Sequence, residues 1–277
     1  MNAFSYRVQT LQPSAIREIL KFTSDPEVIS FAAGNPAPEA FPTEEIARIT
    51  NEILTTTPID ALQYSITEGY TPLRNWIKDD LKKKGMFDES EEDVVITSGA
   101  QQAIEVVTKE ICNEGDVIIC EAPTFIGSLN AFRSYNAKLV GIDMDDDGIN
   151  IEKLEAALEK YQRTAFIYLI PNFQNPTGKT MSLEKRKKVL ELAQKYNVYI
   201  LEDNPYGDLR YFGEDVPTIK SLDKTGHVLY AGTFSKTLAP GLRVGYLCAP
   251  KNVIAKAVVC MQVSTVHTSI LPQMIAY

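Results

Sequence analysis

From about residue 94 onward, short apolar runs alternate with stretches whose apolar positions recur at helical spacing. The runs are DVVIT (93–97), DVIICE (116–121), AKLVGI (137–142), AFIYLI (165–170), VYILED (198–203), HVLYAG (227–232) and VGYLCA (244–249). Each has the length of a strand and too little polar alternation to leave one face in water. Amphipathic helices lie between most of them. AQQAIEVVTKEI places Ala103, Ile104, Val107 and Ile111 on one face. SLEKRKKVLELAQKYN does the same with Leu183, Val189, Leu190 and Ala193, and Ser182 is its expected N-cap. Strands and helices in alternation predict an α/β fold: three α/β/α layers around a mainly parallel seven-stranded sheet.

Residues 1–45 follow a different pattern. A short helix around PSAIREILKF leads into ISFAAGNPAPEAFP, a Pro/Gly-rich extended segment. This predicts an N-terminal arm over 1–45 and a large domain over 46–277. Internal repeats and low-complexity tracts are absent.

Composition narrows the functional classes. Hydrophobic residues make 44% and charged residues 23% of 277, the mix of an ordinary globular protein. A net charge of −8 argues against a nucleic-acid partner, which favours a basic patch. No stretch reaches the roughly 18 uninterrupted apolar residues of a membrane span, and the N-terminus has no apolar core of signal-peptide length. Cys112, Cys120, Cys248 and Cys260 lie in or beside apolar runs without a C-x-x-C pair, which predicts reduced thiols and a cytoplasmic protein. With only His227 and His267, no histidine-based metal site is expected.

One acidic segment imitates a metal loop. DMDDDGIN supplies Asp143, Asp145, Asp147 and Gly148, the opening of a calcium-binding loop. That loop needs a glutamate at its twelfth position, which here is Leu154; Glu155 comes one residue late. An acidic strand-to-helix turn is the expectation.

The chemistry gathers at strand ends. GTFSKTLAPGLRVGYL sets Lys236 between Ser235 and Thr237, with Arg243 before the next strand. A turn lysine is ordinarily a solvated charge; at the mouth of an α/β sheet it can instead be a nucleophilic amine. A phosphate loop is excluded, because that pattern needs glycine directly before the lysine and Ser235 stands there. TSGAQQA opens a helix after the first strand, where N–H groups and the helix dipole suit a phosphate. EAPTFIG brings Phe125, either a core residue or a stacking plate. PNFQNPTG fixes Asn175 before a proline, and LEDNPYG ends a strand with Asp203 and Tyr206. Asp203 reads equally as a helix cap or a site carboxylate. Together they offer a lysine, a buried carboxylate, two hydrogen-bonding groups, an aromatic plate and a phosphate cradle, which suits pyridoxal 5′-phosphate.

On these motifs, with LQYSITEGYTPLR in support, the chain resembles the fold-type I, class I/II aminotransferases, in particular their 2-aminoadipate and kynurenine branch. The resemblance spans essentially the whole chain. It implies transamination between an amino acid and a 2-oxo acid acceptor such as 2-oxoglutarate. Lys236 would hold the cofactor covalently and serve as general base, and Asp203 would pair with the ring nitrogen. Asn175 and Tyr206 would bond the ring's phenolic oxygen, and Phe125 would stack on the ring. Gly99, Ala100, Gln101, Thr233, Ser235 and Arg243 would surround the phosphate. Tyr64 would reach the cofactor of a second subunit, which implies a homodimer. Gly34 would lie against the substrate carboxylate, and Arg17, in the arm helix, would meet the distal carboxylate of an acidic substrate.

The likeness breaks at the C-terminus. Members of the family continue into a small domain that carries the arginine for the substrate α-carboxylate. Here Arg243 is the last arginine, and the sequence stops at HTSILPQMIAY, inside what reads as a helix. The expectation is a chain without the small C-terminal domain, either a fragment or a truncated gene product. A lyase or decarboxylase on the same scaffold, or a cofactor-binding fragment without turnover, are the alternatives to a transaminase. A regulator's sensing domain fits poorly, because the leading residues are few and not basic.

Overall fold

The computed structural model describes residues 4–9, 11, 27–29 and 34–277. The predicted arm helix around PSAIREILKF, Arg17 included, lies outside the described residues. The helix Thr43–Thr56 begins just ahead of the expected arm boundary.

All seven predicted strands form, each starting one residue from its expected position. They are β1 (Glu92–Thr97), β2 (Val117–Ala122), β3 (Lys138–Asp145), β5 (Thr164–Leu169), β6 (Tyr199–Asp203), β7 (Val228–Thr233) and β8 (Gly245–Pro250). An eighth strand is added: β4, only Gly148–Ile149, folds back antiparallel on the end of β3. The sheet order is β1-β8-β7-β6-β5-β2-β3-β4. A two-residue strand leaves no periodicity to read, so the seven-stranded expectation missed it. The acidic turn therefore joins two strands before the helix Ile151–Lys160 begins. Its carboxylates meet lysines: Asp145 and Asp147 lie 2.6 and 2.9 Å from Lys185 Nζ, and Asp146 lies 3.1 Å from Lys179 Nζ. No metal-holding cluster occurs among the described residues.

Alternation along the strands builds the two cores. In β2, Ile118 and Cys120 face the helices Ala100–Ile111, Ile126–Ser134 and Lys251–Gln262, with Phe166 and Tyr168 of β5 on the same side. Val117, Ile119, Ile167 and Leu169 face the opposite way, against Ile151–Lys160 and Leu183–Tyr196. Successive side chains of a strand point to opposite faces, so an unbroken apolar run fills two helix layers at once. A third cluster seats Leu73, Ile77 and Leu81 of the helix Thr71–Lys83 against Val94 and Ile96 of β1 and Cys248 of β8. Ser182 caps its helix as expected, accepting from the Lys185 N–H. The four cysteines are free, three of them buried. Among the described residues no helix is long and apolar enough to cross a membrane.

The direction of β8 determines what reaches the site. It is antiparallel to both β7 and β1. Residues 234–244 join β7 to β8, too short a connection for the helical crossover a parallel strand needs. Thr233 pairs with Gly245 across this return, so the intervening turn stays at one end of the sheet. That end is also where β1, β2, β5 and β6 finish.

Candidate active site

A cavity of about 1160 Å³ opens at those strand ends. Asp203 closes its floor. This residue ends β6, is 4% exposed, and accepts a 2.7 Å hydrogen bond at Oδ2 from the Tyr168 hydroxyl. Tyr168 in turn accepts from Ser128 Oγ at 2.8 Å. Oδ1 is buried and, among the described residues, has no hydrogen-bond partner. Burial pushes the Asp203 carboxyl up to about 6, with the Tyr168 hydrogen bond partly opposing it. Such a carboxylate is incomplete until a cation or proton donor meets it.

Lys236 stands in the β7–β8 return. Its Nζ donates to the Gly34 carbonyl at 3.2 Å and lies 6.0 Å from the Tyr206 ring centroid. Burial lowers the amine's pKa, which favours the neutral, nucleophilic form. Asn175 Nδ2 donates to the Tyr206 hydroxyl at 3.3 Å, bringing the β5 and β6 loops together above the aspartate. Phe125 lines the same cavity from the end of the β2 loop. A Cβ on Gly127 would come within 2.5 Å of the Phe125 ring, so glycine there gives the ring its place.

The far wall is cationic and rich in N–H groups. The helix Ala100–Ile111 starts at Gly99 with φ 72° and no side-chain cap, leaving its first-turn N–H groups free of a side-chain acceptor. Arg243, in the left-handed region at φ 54°, reaches across with Nη2 to the Ser98 carbonyl at 3.1 Å and Nη1 to the Pro240 carbonyl at 3.2 Å. Among the described residues no carboxylate forms an ion pair with it. A Cβ on Gly99 would lie 2.9 Å from Arg243 Cζ, and one on Gly245 would lie 2.7 Å from the Ala100 nitrogen. Two glycines thus let the turn, the guanidinium and β8 approach one another. Thr233 Oγ1 and Ser235 Oγ lie 2.9 Å apart beside them. An unpaired guanidinium, two hydroxyls and a helix N-terminus make an anion cradle.

The structure thus brings Gly34, Ala100, Gln101, Phe125, Asn175, Asp203, Tyr206, Thr233, Ser235, Lys236 and Arg243 to one cavity, with Gly99 directly behind Arg243. Tyr64 is elsewhere: 80% exposed, with its ring edge-on to His267 at 5.9 Å. Sequence reading passed over Tyr168 and Gln174. The signal for Tyr168 was the one hydroxyl in the apolar run AFIYLI. Gln174 Oε1 accepts from the Thr177 N–H and hydroxyl at 3.0 and 2.7 Å, and Nε2 donates to the Pro123 carbonyl at 2.8 Å. It fixes the Asn175 turn against the Phe125 loop.

Pyridoxal phosphate fits these residues on grounds internal to the structure. The unpartnered Asp203 Oδ1 suits a protonated ring nitrogen, and the anion cradle suits a phosphate.

The chain matches the family profile "Aminotransferase class I and II" over residues 26–276. An aromatic-amino-acid aminotransferase of Thermococcus litoralis is 43% identical over 99% of this chain and 67% of its own length. A 2-aminoadipate transaminase of Thermus thermophilus is 39% identical over 99% of this chain and 68% of its own. Among solved structures, the kynurenine aminotransferase of Pyrococcus horikoshii in complex with PMP superimposes with a TM-score of 0.94 at 39% identity. It covers 99% of this chain, which spans 69% of that one.

Proposed function

The chain belongs to the class I and II aminotransferases, enzymes of pyridoxal 5′-phosphate-dependent transamination, and we propose that the cavity at its strand ends is the active site, with Lys236 and Asp203 as its central pair. The observation that carries this reading is the buried Asp203 oxygen without a partner. Bound pyridoxal phosphate supplies an electron-accepting ring that weakens the Cα–H bond of the amino acid joined to it.

The chain's own groups act around that ring. Asp203 keeps the ring nitrogen protonated, and ion pairing offsets the burial that raises its carboxyl. Asn175 and Tyr206 donate to the phenolic oxygen and favour its ionised form. Phe125 covers one face of the ring. The first-turn N–H groups at Ala100 and Gln101, the hydroxyls of Thr233 and Ser235, and Arg243 hold the phosphate. Lys236 Nζ would hold the cofactor covalently and, once free, would act as the base that moves the proton of the substrate Cα. Burial lowers its pKa and so favours the neutral amine that can accept a proton.

The donor substrate is read from the relatives' names, aromatic amino acids and 2-aminoadipate; the acceptor, 2-oxoglutarate, follows from the family resemblance alone. Arg17 is assigned to the distal carboxylate of acidic substrates, and Gly34 to the α-carboxylate side. The exposed Tyr64 fits a residue that serves a second subunit's site, hence a homodimer. Residues 1–45 are assigned as the N-terminal arm and substrate-side segment, and 46–277 as the cofactor domain. Four free thiols fit the reducing cytoplasm.

Borohydride treatment of the cofactor-loaded protein tests the reading. The added mass should map to the peptide bearing Lys236, and Lys236→Ala should take up none. Fixation on another lysine would overturn the assignment.

A further inference from the structure

Among the described residues Arg186 is the largest fully buried side chain. It sits on the helix Leu183–Tyr196, and five hydrogen bonds account for its five N–H donors. Nε donates to the Met181 carbonyl at 3.0 Å, Nη1 to the Val216 and Pro217 carbonyls at 3.2 and 3.0 Å. Nη2 donates to the Pro171 carbonyl at 3.1 Å and to Asn172 Oδ1 at 2.7 Å. No carboxylate bonds it among the described residues. Its acceptors belong to the loop leaving β5 and to the segment that follows the β6 loop.

The chain of bonds continues. Asn172 Nδ2 donates to Asn204 Oδ1 at 2.9 Å, and Asn204 Nδ2 donates to the Tyr230 hydroxyl of β7 at 3.0 Å. The Asn204 N–H also meets the Ala231 carbonyl at 3.1 Å. Space for the Asn204 amide depends on Gly207, where a Cβ would fall 2.5 Å from Nδ2 and 2.6 Å from Oδ1. Asn172 lies in the same loop as Asn175, and Asn204 stands between Asp203 and Tyr206. The Asn172–Asn204 bond therefore ties the segment carrying one ring-oxygen donor to the segment carrying the other.

We infer that the Asn172–Asn204 amide pair, anchored on Arg186, is a positioning latch that sets the distance between Asn175 and Tyr206 and thereby tunes the bound cofactor. This rests on the reading that Asn175 and Tyr206 meet the cofactor's phenolic oxygen. Neither Asn172 nor Asn204 lines the cavity. Both act through their neighbours. The Asn175–Tyr206 contact is already long at 3.3 Å, so a small relative shift of the loops opens it.

The test is the pH midpoint at which the protein-bound pyridoxal phosphate changes absorbance, measured with the melting temperature of the cofactor-free protein. Losing donors to the ionised oxygen raises that midpoint. Asn172→Ala and Asn204→Ala should each raise it by about half a unit or more, in the direction of Asn175→Ala. The double variant should shift it no further than the larger single one, because both cut the same bond. Asn172→Asp keeps the acceptor for Arg186, now as an ion pair, and loses the donor to Asn204. It should show the shift in a chain whose buried guanidinium stays bonded, even where an alanine variant folds poorly. A fall in melting temperature with an unmoved midpoint, while Asn175→Ala does move it, would overturn the latch and leave the site reading standing. An unmoved midpoint in Asn175→Ala would sink both.

Discussion

Asp203→Asn separates the chemistry of this site from its stability, and the two should change in opposite directions. The substitution keeps an oxygen for the 2.7 Å bond from Tyr168 and replaces the charged, unpartnered oxygen with a neutral amide NH2. Without cofactor, burial has moved the carboxyl from 3.8 to about 6. A carboxyl raised in the folded state contributes stability that is complete below the unfolded pKa and lost as pH rises through the folded one. The loss runs between about pH 4 and pH 6 and reaches about 3 kcal/mol, taking 1.36 kcal/mol per unit over the shift from 3.8 to about 6. Cofactor-free Asp203→Asn should therefore melt higher than cofactor-free wild type at pH 8, and the gap should close towards pH 4.

In the loaded protein the same change removes the partner of the ring nitrogen. Breaking a buried ion pair costs about 3–5 kcal/mol, and each 1.36 kcal/mol in a barrier is tenfold in rate. The rate of Cα–H cleavage should fall by roughly 10²- to 10⁴-fold. Stopped-flow absorbance of the cofactor after mixing with an amino acid measures this half-reaction directly. A rate within about threefold of wild type would refute the ring-nitrogen role. A lower melting temperature for the cofactor-free variant at pH 8 would refute the claim that the empty site strains this carboxylate.

The remaining predictions reach other parts of the chain. Arg17→Ala should weaken 2-aminoadipate by about 1.5–3 kcal/mol, the range for a charged hydrogen bond, and leave leucine nearly unchanged in kcat/KM; equal losses would mean that Arg17 supports the arm instead. Chains carrying Lys236→Ala and Tyr64→Ala, each impaired alone, should regain activity when refolded together, because one site of the mixed dimer then has both residues; no recovery would count against a shared site. Both carboxyl oxygens of Glu110 are buried without partners, and burial pushes the group up to about 8. Its stabilising contribution is present below about pH 4.5 and lost as pH rises through about 8. Glu110→Gln should accordingly raise the melting temperature at pH 9 and change little at pH 4, and an equal effect at both would refute the assignment.

The sequence by itself determined the layers, the strands and the chemistry. Ile118 and Val117, or Tyr168 and Ile167, needed only the two-residue period of a strand to be sent to opposite faces, and their helices announced themselves by the 3.6-residue period. Ser182 was legible as a cap because capping is a local hydrogen bond. The residues around Lys236, Asn175 and Asp203 were legible because they stand at strand ends, and a parallel sheet gathers those ends on one side. What only the tertiary structure decided depends on distance in space between positions far apart in sequence. The antiparallel return of β8 brings Arg243 against Gly99, a meeting set by the absence of two Cβ atoms. The two-residue β4 exists because β3 offers it an edge. Asp203 became more than an ambiguous acidic residue when burial left Oδ1 alone and Tyr168, 35 positions away, took Oδ2. Arg186 lies in a helix whose sequence pattern points only to its apolar face, and it is the buried tie between two loop segments. Periodicity carries the average environment of a position, whereas a buried polar group is tolerated only where particular partners converge, and that convergence is a property of the assembled fold.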